Sequence, residues 1–513
     1  MVARILTAAL LGVDACPVDV EIDLGPGLQA FFIAGLPDGA VREARVRVKA
    51  AMENSGFAWP MRRVSLNLAP ADVRKDGSAY DLPIALAVLS AAGHLDERGR
   101  ARLARYLVYG ELALDGALRP VRGALSLAMC AREQGLDGVI VPADNAAEAG
   151  LVRGLEVVAC ASLDDAVRFA RTGADDLVRP SADPDAVLPT AVEGPDMADV
   201  SGQVLAKRAL EVAAAGGHNV LMVGPPGSGK TMLAKRVSGI LPAMSFDEAL
   251  ETTRVWSVAG LTDRTGLVPR RPFRAPHHTI SNVGLVGGGS GMPRPGELSL
   301  AHHGVLFLDE LPEFSRAALE VMRQPLEDGH VTITRSLITV RYPAGLMLVA
   351  SMNPCPCGYL THPSRPCLCT QQQVAAYRGR VSGPLLDRID LHVDVAAVDY
   401  TALRAAGRAE PTADIRARVE AARAVQRRRF ADAPIHCNAE MTPKLLRAHC
   451  QVDAAGHALL ERVIDRLGMS ARAWDRILKV ARTIADLAGE DAITGEHVAE
   501  AVQYRQLDRA DGC

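Results

Sequence analysis

Aromatic residues make up only 4% of this 513-residue chain, so its cores must be built mainly from Ala, Val, Leu and Ile. Long apolar runs are also missing. None approaches the roughly 20 residues that cross a bilayer, so no membrane partner is expected. Charge of one sign is lacking too. The formal net charge of -3 excludes a protein that coats nucleic acid by bulk charge, while leaving room for a local basic channel. The first residues hold a single Arg and the short apolar stretch Ile5 to Val13, followed at once by an alternating segment, Pro17 to Asp23. That pattern predicts a buried strand rather than a signal peptide. The expected location is cytoplasmic, with the ten Cys reduced, and clustered Cys then point to metal rather than disulfide.

The length predicts two or three domains. Residues 1–172 mix strand-like and helix-like segments. Residues 173–197 read as a linker, with four prolines and several acids between Asp175 and Met197. Residues 198–400 alternate apolar strands with helices, the α/β pattern. Residues 401–513 read as helical, with Arg-rich faces.

The apolar strand Asn219 to Val223 runs into Gly224, Pro225, Pro226, Gly227, Ser228, Gly229, Lys230 and Thr231, and a helix follows. This is the context that the phosphate-binding motif G-x-x-x-x-G-K-[ST] requires. Its glycines let backbone N–H groups approach phosphates, and the helix N-terminus adds positive partial charge. Lys230 is placed to reach the β- and γ-phosphates of ATP, and Thr231 to bind Mg2+. About 80 residues on, Val305-Leu-Phe-Leu is a buried strand ending in Asp309 and Glu310. Asp309 would hold Mg2+ through water, and Glu310 would polarise the attacking water.

The next strand, Leu346 to Ser351, ends near Asn353, which either resembles the sensor-1 residue of AAA+ proteins or closes a turn before Pro354. Arg388, in Gly383-Pro-Leu-Leu-Asp-Arg-Ile-Asp390, matches the place of an arginine finger reaching a neighbouring subunit's ATP, or forms a structural pair with Asp387 or Asp390. A finger there requires a ring or filament.

The strings Arg271-Pro-Phe-Arg-Ala-Pro-His-His278, Pro295-Gly-Glu-Leu-Ser-Leu-Ala-His-His-Gly304, Arg323-Gln-Pro-Leu-Glu-Asp-Gly329 and Asn353-Pro-Cys-Pro-Cys-Gly358 resemble the ComM/YifB family of magnesium-chelatase-like AAA+ ATPases. That resemblance implies an α/β AAA+ P-loop module with a helical lid. It also implies a homo-hexameric, ATP-dependent DNA motor: a branch-migration helicase aiding integration of incoming DNA by homologous recombination during natural transformation. Its partners would be single-stranded or branched DNA and recombination proteins. The alternative it leaves open is a chelatase-type ATPase that remodels a protein partner for metal insertion. It further implies an insert loop over Ser281 to Gly291. A hairpin follows, of Val331 to Thr334 and Ile338 to Tyr342, whose tip faces a central channel. Arg335, near that tip, is a candidate phosphate contact or a solvated turn residue. Arg472 matches the family's sensor-2 position, with Arg476 one helical turn away as its rival.

Cys355, Cys357, Cys367 and Cys369, in the loop 354–370, are either reduced thiols or a structural Zn2+ site, with His362 as a substitute ligand. Finally, Val108 to Gly123 and Lys75 to Pro83 resemble Lon-type proteolytic domains, a ribosomal S5 domain 2-like α+β fold. The family's nucleophilic Ser falls at Ala79 and its Lys base at Leu125. Ser78 is one residue away, and no Lys lies between Lys75 and Lys207. A Lon-like domain without peptidase activity is expected. Its basic run Val41 to Lys49 suits either DNA binding or a solvated helix face.

Overall fold

The computed structural model describes residues 2–179, 194–263, 266–289, 291–335, 338–397, 410–467 and 471–505. The centre of the expected linker and the expected boundary near residue 400 lie outside these. The linker's start does not behave as a linker. Leu177 is buried, and Val178–Arg179 pairs antiparallel with Glu156–Cys160, so residues 175–179 complete a sheet of the N-terminal domain.

That domain opens on the strand Val2–Leu11, which takes in most of the apolar stretch Ile5 to Val13 and pairs antiparallel with Asp14–Gly25. With Arg63–Ala69 and Ala30–Ala34 these make one four-stranded sheet, and a second contains Tyr106–Val108, Gly138–Pro142, Glu156–Cys160 and Val178–Arg179. The basic run sits on the helix Gly39–Asn54, capped by the Asp38 side chain. Val41, Ala44 and Val48 are buried there, while Arg42 and Arg45 face outward and Arg47 pairs with the buried Asp81.

The central module is a five-stranded parallel sheet in the spatial order Phe273–Arg274, Val305–Leu308, Met347–Met352, Val220–Val223, Leu391–Asp394. Counted along the chain this is the order 5-1-4-3-2 of AAA+ modules. Near-continuous apolar strands are what a sheet covered on both faces needs. The period of two then sorts their side chains. Val220, Met222, Val305, Phe307 and Val349 enter one core, shared with Ile477, Ala481 and Ile484 of the C-terminal helices. Leu221, Val223, Leu306, Leu308 and Leu348 enter the other, shared with Val331, Ile333, Val340 and Tyr342 of a hairpin. The C-terminal helices include Thr412–Arg429, Ala454–Leu467, Ala471–Ala488 and Gly495–Gln503.

The N-terminal domain docks on this module through the turn after its first strand. Val13 is buried in the hairpin-side core, and Gly12 leaves no space for a side chain, since a Cβ would lie 2.5 Å from Val340 Cγ1. Arg254 donates to Val13 O at 3.1 Å and to Asp14 at 2.5 Å. Glu148 crosses the same junction. Its buried carboxylate accepts from the Ser257 hydroxyl and from the Leu125 amide at 2.7 Å, and burial raises its pKa.

Candidate nucleotide-binding site

The loop Gly224–Gly229 connects the strand Val220–Val223 to the helix Lys230–Ile240. Two glycines take left-handed backbone, Gly227 at φ 77° and Gly229 at φ 91°. Gly224 answers a different demand, because a Cβ there would sit 2.2 Å from Val395 O of the neighbouring strand's extension. Lys230 is 8% exposed and folds back over the loop, donating to Gly224 O at 2.6 Å and Pro225 O at 2.9 Å. Burial lowers its pKa against the opposing pull of Asp309 and Glu310. The buried Ser228 hydroxyl finds no partner among the described residues.

Adjacent parallel strands end beside this loop and bring their terminal residues to it. Thr231 Oγ1 donates to Asp309 Oδ2 at 2.7 Å. The Ser351 hydroxyl donates to the other Asp309 oxygen, fixing the carboxylate's orientation. Glu310 sits at φ 55°, ψ 49°, a left-handed conformation that costs an L-residue about 1–2 kcal/mol. Strain of this kind gathers at functional sites. It leaves the Glu310 carboxylate half exposed, 3.6 Å from His278 Nδ1. Asn353 Oδ1 lies 3.4 Å from Lys230 Nζ. Lys230, Thr231, Asp309, Glu310 and Asn353 are therefore one cluster. Its donor set, a hydroxyl and a carboxylate beside a lysine-capped glycine loop, fits Mg2+ bound to a nucleoside triphosphate.

Three members of this neighbourhood were not singled out in the sequence. Gln203 closes the loop from behind, donating to Ser228 O at 3.1 Å and Ala396 O at 2.8 Å from its own left-handed position at φ 54°. Ser351 and His278 are the others. A polar residue near the end of an apolar strand was the available signal for Ser351. Gln203 and His278 reach the site only through tertiary folding.

Arg388 and Arg472 do not join this cluster. Arg388 precedes the strand Leu391–Asp394, at the opposite end of the parallel sheet from the P-loop, about 13 Å away at 3.3 Å per residue. Its guanidinium pairs with Glu327 and donates to Arg323 O at 3.0 Å and Pro384 O at 2.7 Å, so neither Asp387 nor Asp390 is its partner. Arg472 is exposed and lines the same cleft of about 640 Å3, together with Arg271, Arg423, Arg427, Arg476 and Lys479. Helix Ala471–Ala488 is anchored there because Thr483 meets the buried His218 at 2.9 Å, just before the P-loop strand. His218 in turn meets Asp390 at 3.1 Å, and Arg476 lies 3.5 Å from Asp390. Within a single chain, Arg472 therefore faces away from Lys230, and Arg476 is committed to Asp390.

The hairpin forms as expected, His330–Arg335 against Ile338–Pro343 with Arg335 opposite Ile338. Exposed Arg335 lies against Gly288 of the glycine-rich segment, its guanidinium 3.3 Å from where a Cβ would stand. The four thiols also converge. Cys355 Sγ is 3.3 Å from Cys357 and 3.6 Å from Cys367, and all four sulfurs lie within 4.8 Å of one another. His362 does not join this group; its Nδ1 accepts from the Ser364 and Arg365 amides at 3.2 and 3.1 Å. Glu251, His302 and His303 form a second close group. There the Gly345 amide donates to His302 Nδ1 at 3.1 Å, which leaves the proton on Nε2, facing Glu251 at 3.3 Å. These contacts make a hydrogen-bonded cluster.

In the N-terminal domain, Ala79 and Leu125 are buried in one apolar cluster. The Ser78 hydroxyl donates to the Glu111 carboxylate, and Lys75 Nζ donates to Pro70 O. No Ser–Lys pair is assembled among these described residues.

Sheet order, glycine loop and acidic strand end together define a P-loop protein of the AAA+ type. Family models agree: one described as magnesium chelatase, subunit ChlI, matches residues 196–403, its C-terminal counterpart matches 409–505, and a third described as subunit ChlI of Mg-chelatase matches 20–145. The chain is 44% identical to the uncharacterized protein YifB of Escherichia coli over 98% of its length and 97% of that protein. It is 41% identical to the competence protein ComM of Haemophilus influenzae over 99% of its length and 98% of that protein. Likeness to the chloroplastic magnesium-chelatase subunit ChlI of Nicotiana tabacum is 23%, over 40% of this chain and 43% of that one. The chain belongs to the ComM/YifB family of magnesium-chelatase-like AAA+ proteins.

Proposed function

We propose that this protein is an ATP-driven DNA motor: a homo-hexameric helicase that moves DNA branches and so aids integration of incoming DNA by homologous recombination. The observation that carries this reading is the split of the catalytic groups between the two ends of one sheet. Lys230, Thr231, Asp309, Glu310 and Asn353 form half a site at the strands' C-terminal ends. Arg388, with Arg472 in the same cleft, stands at the other end, which suits a contact with the nucleotide of a neighbouring subunit. Mg2+, when bound, would supply positive charge that offsets the charge of the triphosphate. Thr231 and Asp309 would hold it, Lys230 would bind phosphate oxygens, Asn353 would orient the attacking water, and Glu310 would accept that water's proton. Arg388 from the adjoining chain stabilises the charge that develops on the γ-phosphate.

The DNA part of the reading is supported by the relationship to ComM and by Arg335 on an exposed hairpin beside the glycine-rich segment. Residues 1–172 are read as a Lon-like domain without peptidase activity, since the hydroxyl of Ser78 is taken by Glu111. Its docking on the hairpin-side core suits a role in assembly. A chelatase-type remodelling role is the competing reading, and it rests on the family models' descriptions. Purified protein mixed with forked or four-way-junction DNA separates the two. Hydrolysis stimulated by DNA, with ATP-dependent strand exchange, is the expected result. Hydrolysis indifferent to DNA, with no exchange, removes the motor reading.

A further inference from the structure

The cysteine loop is joined to the nucleotide site at three points. Asn353 lies two residues before Cys355, which is fully buried. At the loop's other end, Thr370 directly follows Cys369 and caps the helix Gln371–Arg378. That helix returns Tyr377, 6% exposed, to the backbone of Asn353. Between the cysteine pairs, Gly358 lies flat on the P-loop. A Cβ there would come within 2.5 Å of Pro226 Cδ, and Gly358 takes φ 81°, so only glycine fits.

The sulfurs are arranged for a single ion. Four thiolates around Zn2+ at about 2.3 Å stand about 3.8 Å apart. The separations here, 3.3, 3.5 and 3.6 Å, match that tetrahedron and are far beyond the roughly 2.05 Å of a disulfide. The Cys369 amide donates to the Cys367 sulfur at 3.4 Å. Amide donors of this kind orient thiolates and offset their charge. Four sulfurs also leave no open position on the metal, so the ion has no chemistry of its own to perform.

We propose that Cys355, Cys357, Cys367 and Cys369 bind one Zn2+, and that this closed tetrathiolate knot holds Asn353 and Pro226 in the geometry that nucleotide binding requires. The cysteines are positioning residues acting through Asn353, Tyr377 and the Gly358–Pro226 contact. The inference rests on the reading of Gly224–Thr231 as the nucleotide site, so its test measures metal and nucleotide separately.

The full-length chain is purified, its zinc counted by mass spectrometry, and its affinity for a non-hydrolysable ATP analogue measured before and after stripping with a zinc chelator. About one zinc per chain is expected. Cobalt in its place should give the visible spectrum of a tetrahedral tetrathiolate. Stripping should weaken analogue binding about tenfold, the scale of losing a supporting shell, and restored zinc should recover it. Hydrogen exchange should quicken over residues 224–231 and 353–359 while the strand Val2–Leu11 stays protected. The variant Cys367→Ser/Cys369→Ser should lack zinc and stay weak after zinc is added, whereas Cys16→Ser should behave as wild type. If the double variant fails to fold, stripping and reloading the wild type still decides. A wild type without zinc, or a stripped wild type that binds the analogue unchanged, overturns the proposal. A zinc-loaded wild type that never binds the analogue overturns the nucleotide-site reading instead and leaves the metal site standing.

Discussion

Lys230 Nζ reaches Asn353 Oδ1 across 3.4 Å, so the P-loop and the end of the neighbouring strand touch. The same ammonium is held by two loop carbonyls, Gly224 O and Pro225 O, at 2.6 and 2.9 Å. An arriving phosphate must replace these bonds with charge-assisted ones of about 1.5–3 kcal/mol each. Lys230→Ala is expected to weaken binding of an ATP analogue about 100-fold, near 3 kcal/mol. Titration calorimetry checks this, and unchanged affinity would remove Lys230 from the site.

Glu310 takes a left-handed backbone directly after Asp309, and its carboxylate stays half exposed beside His278. Glu310→Gln keeps the shape and loses the base. Analogue affinity should stay within about twofold, while phosphate release falls by about 100- to 10,000-fold, the usual worth of a positioned base. Phosphate release at the wild-type rate would take the catalytic-base role from Glu310.

Arg388 offers a sharper test, because it sits a full strand length from its own Lys230. Arg388→Ala alone should bind nucleotide normally and lose about 1000-fold or more in turnover, as arginine fingers do. A chain carrying both Lys230→Ala and Arg388→Ala would spoil both halves of the proposed shared site. Mixing separate Lys230→Ala and Arg388→Ala chains regenerates some interfaces with both groups intact. Steady-state hydrolysis should therefore rise on mixing the single variants and not on adding the double variant. No recovery in any mixture would place the finger elsewhere.

Asp486 lies at the centre of a buried ion network among the C-terminal helices. Its side chain accepts from Arg429 at 2.8 Å, Arg482 at 3.0 Å and Asn438 at 2.8 Å, and Arg482 is 1% exposed. Removing the carboxylate strands buried guanidinium charge, which costs about 3–5 kcal/mol. In Asp486→Ala, hydrogen exchange along Ala471–Ala488 should accelerate by a matching factor while Val2–Leu11 keeps its protection. Equal exchange in both chains would mean the network adds nothing.

The half-site around Lys230 was legible because each part is local. An apolar strand, a glycine loop and a capped helix lie within about twenty residues, and strand, acid, acid is a pattern of six. The parallel order of the sheet followed from continuous apolar strands alternating with helices. The destination of Arg472 was not legible. Its position depends on which end of the sheet the helix Ala471–Ala488 crosses, and that is decided by His218 and Thr483, 265 residues apart. Residues 175–179 were misplaced for a related reason. Their acids and the nearby Pro180 resemble a linker, yet two residues of pairing with Val157 and Val158 are enough to close a sheet. Gln203 gave no signal, because a lone Gln takes its meaning from the loop it backs.

His392 links stability to pH. It is 2% exposed in the strand Leu391–Asp394, and burial, then the Arg505 and Arg476 charges, push its pKa down to about 3. In the unfolded chain a His titrates near 6.5. Between these values the unfolded state binds a proton that the folded state refuses, so stability falls as pH drops below about 6.5 and is constant above it. The slope approaches about 1.4 kcal/mol per pH unit, and the loss between pH 7.5 and 5.5 is about 1.4 kcal/mol. His392→Gln removes the titrating group while retaining a polar side chain of similar length. Urea midpoints of the two proteins should converge as the pH is lowered over that interval. A constant gap between them at every pH would show that His392 takes up its proton in the fold as readily as in the unfolded chain, and that burial and its neighbours Arg476 and Arg505 do not exclude it.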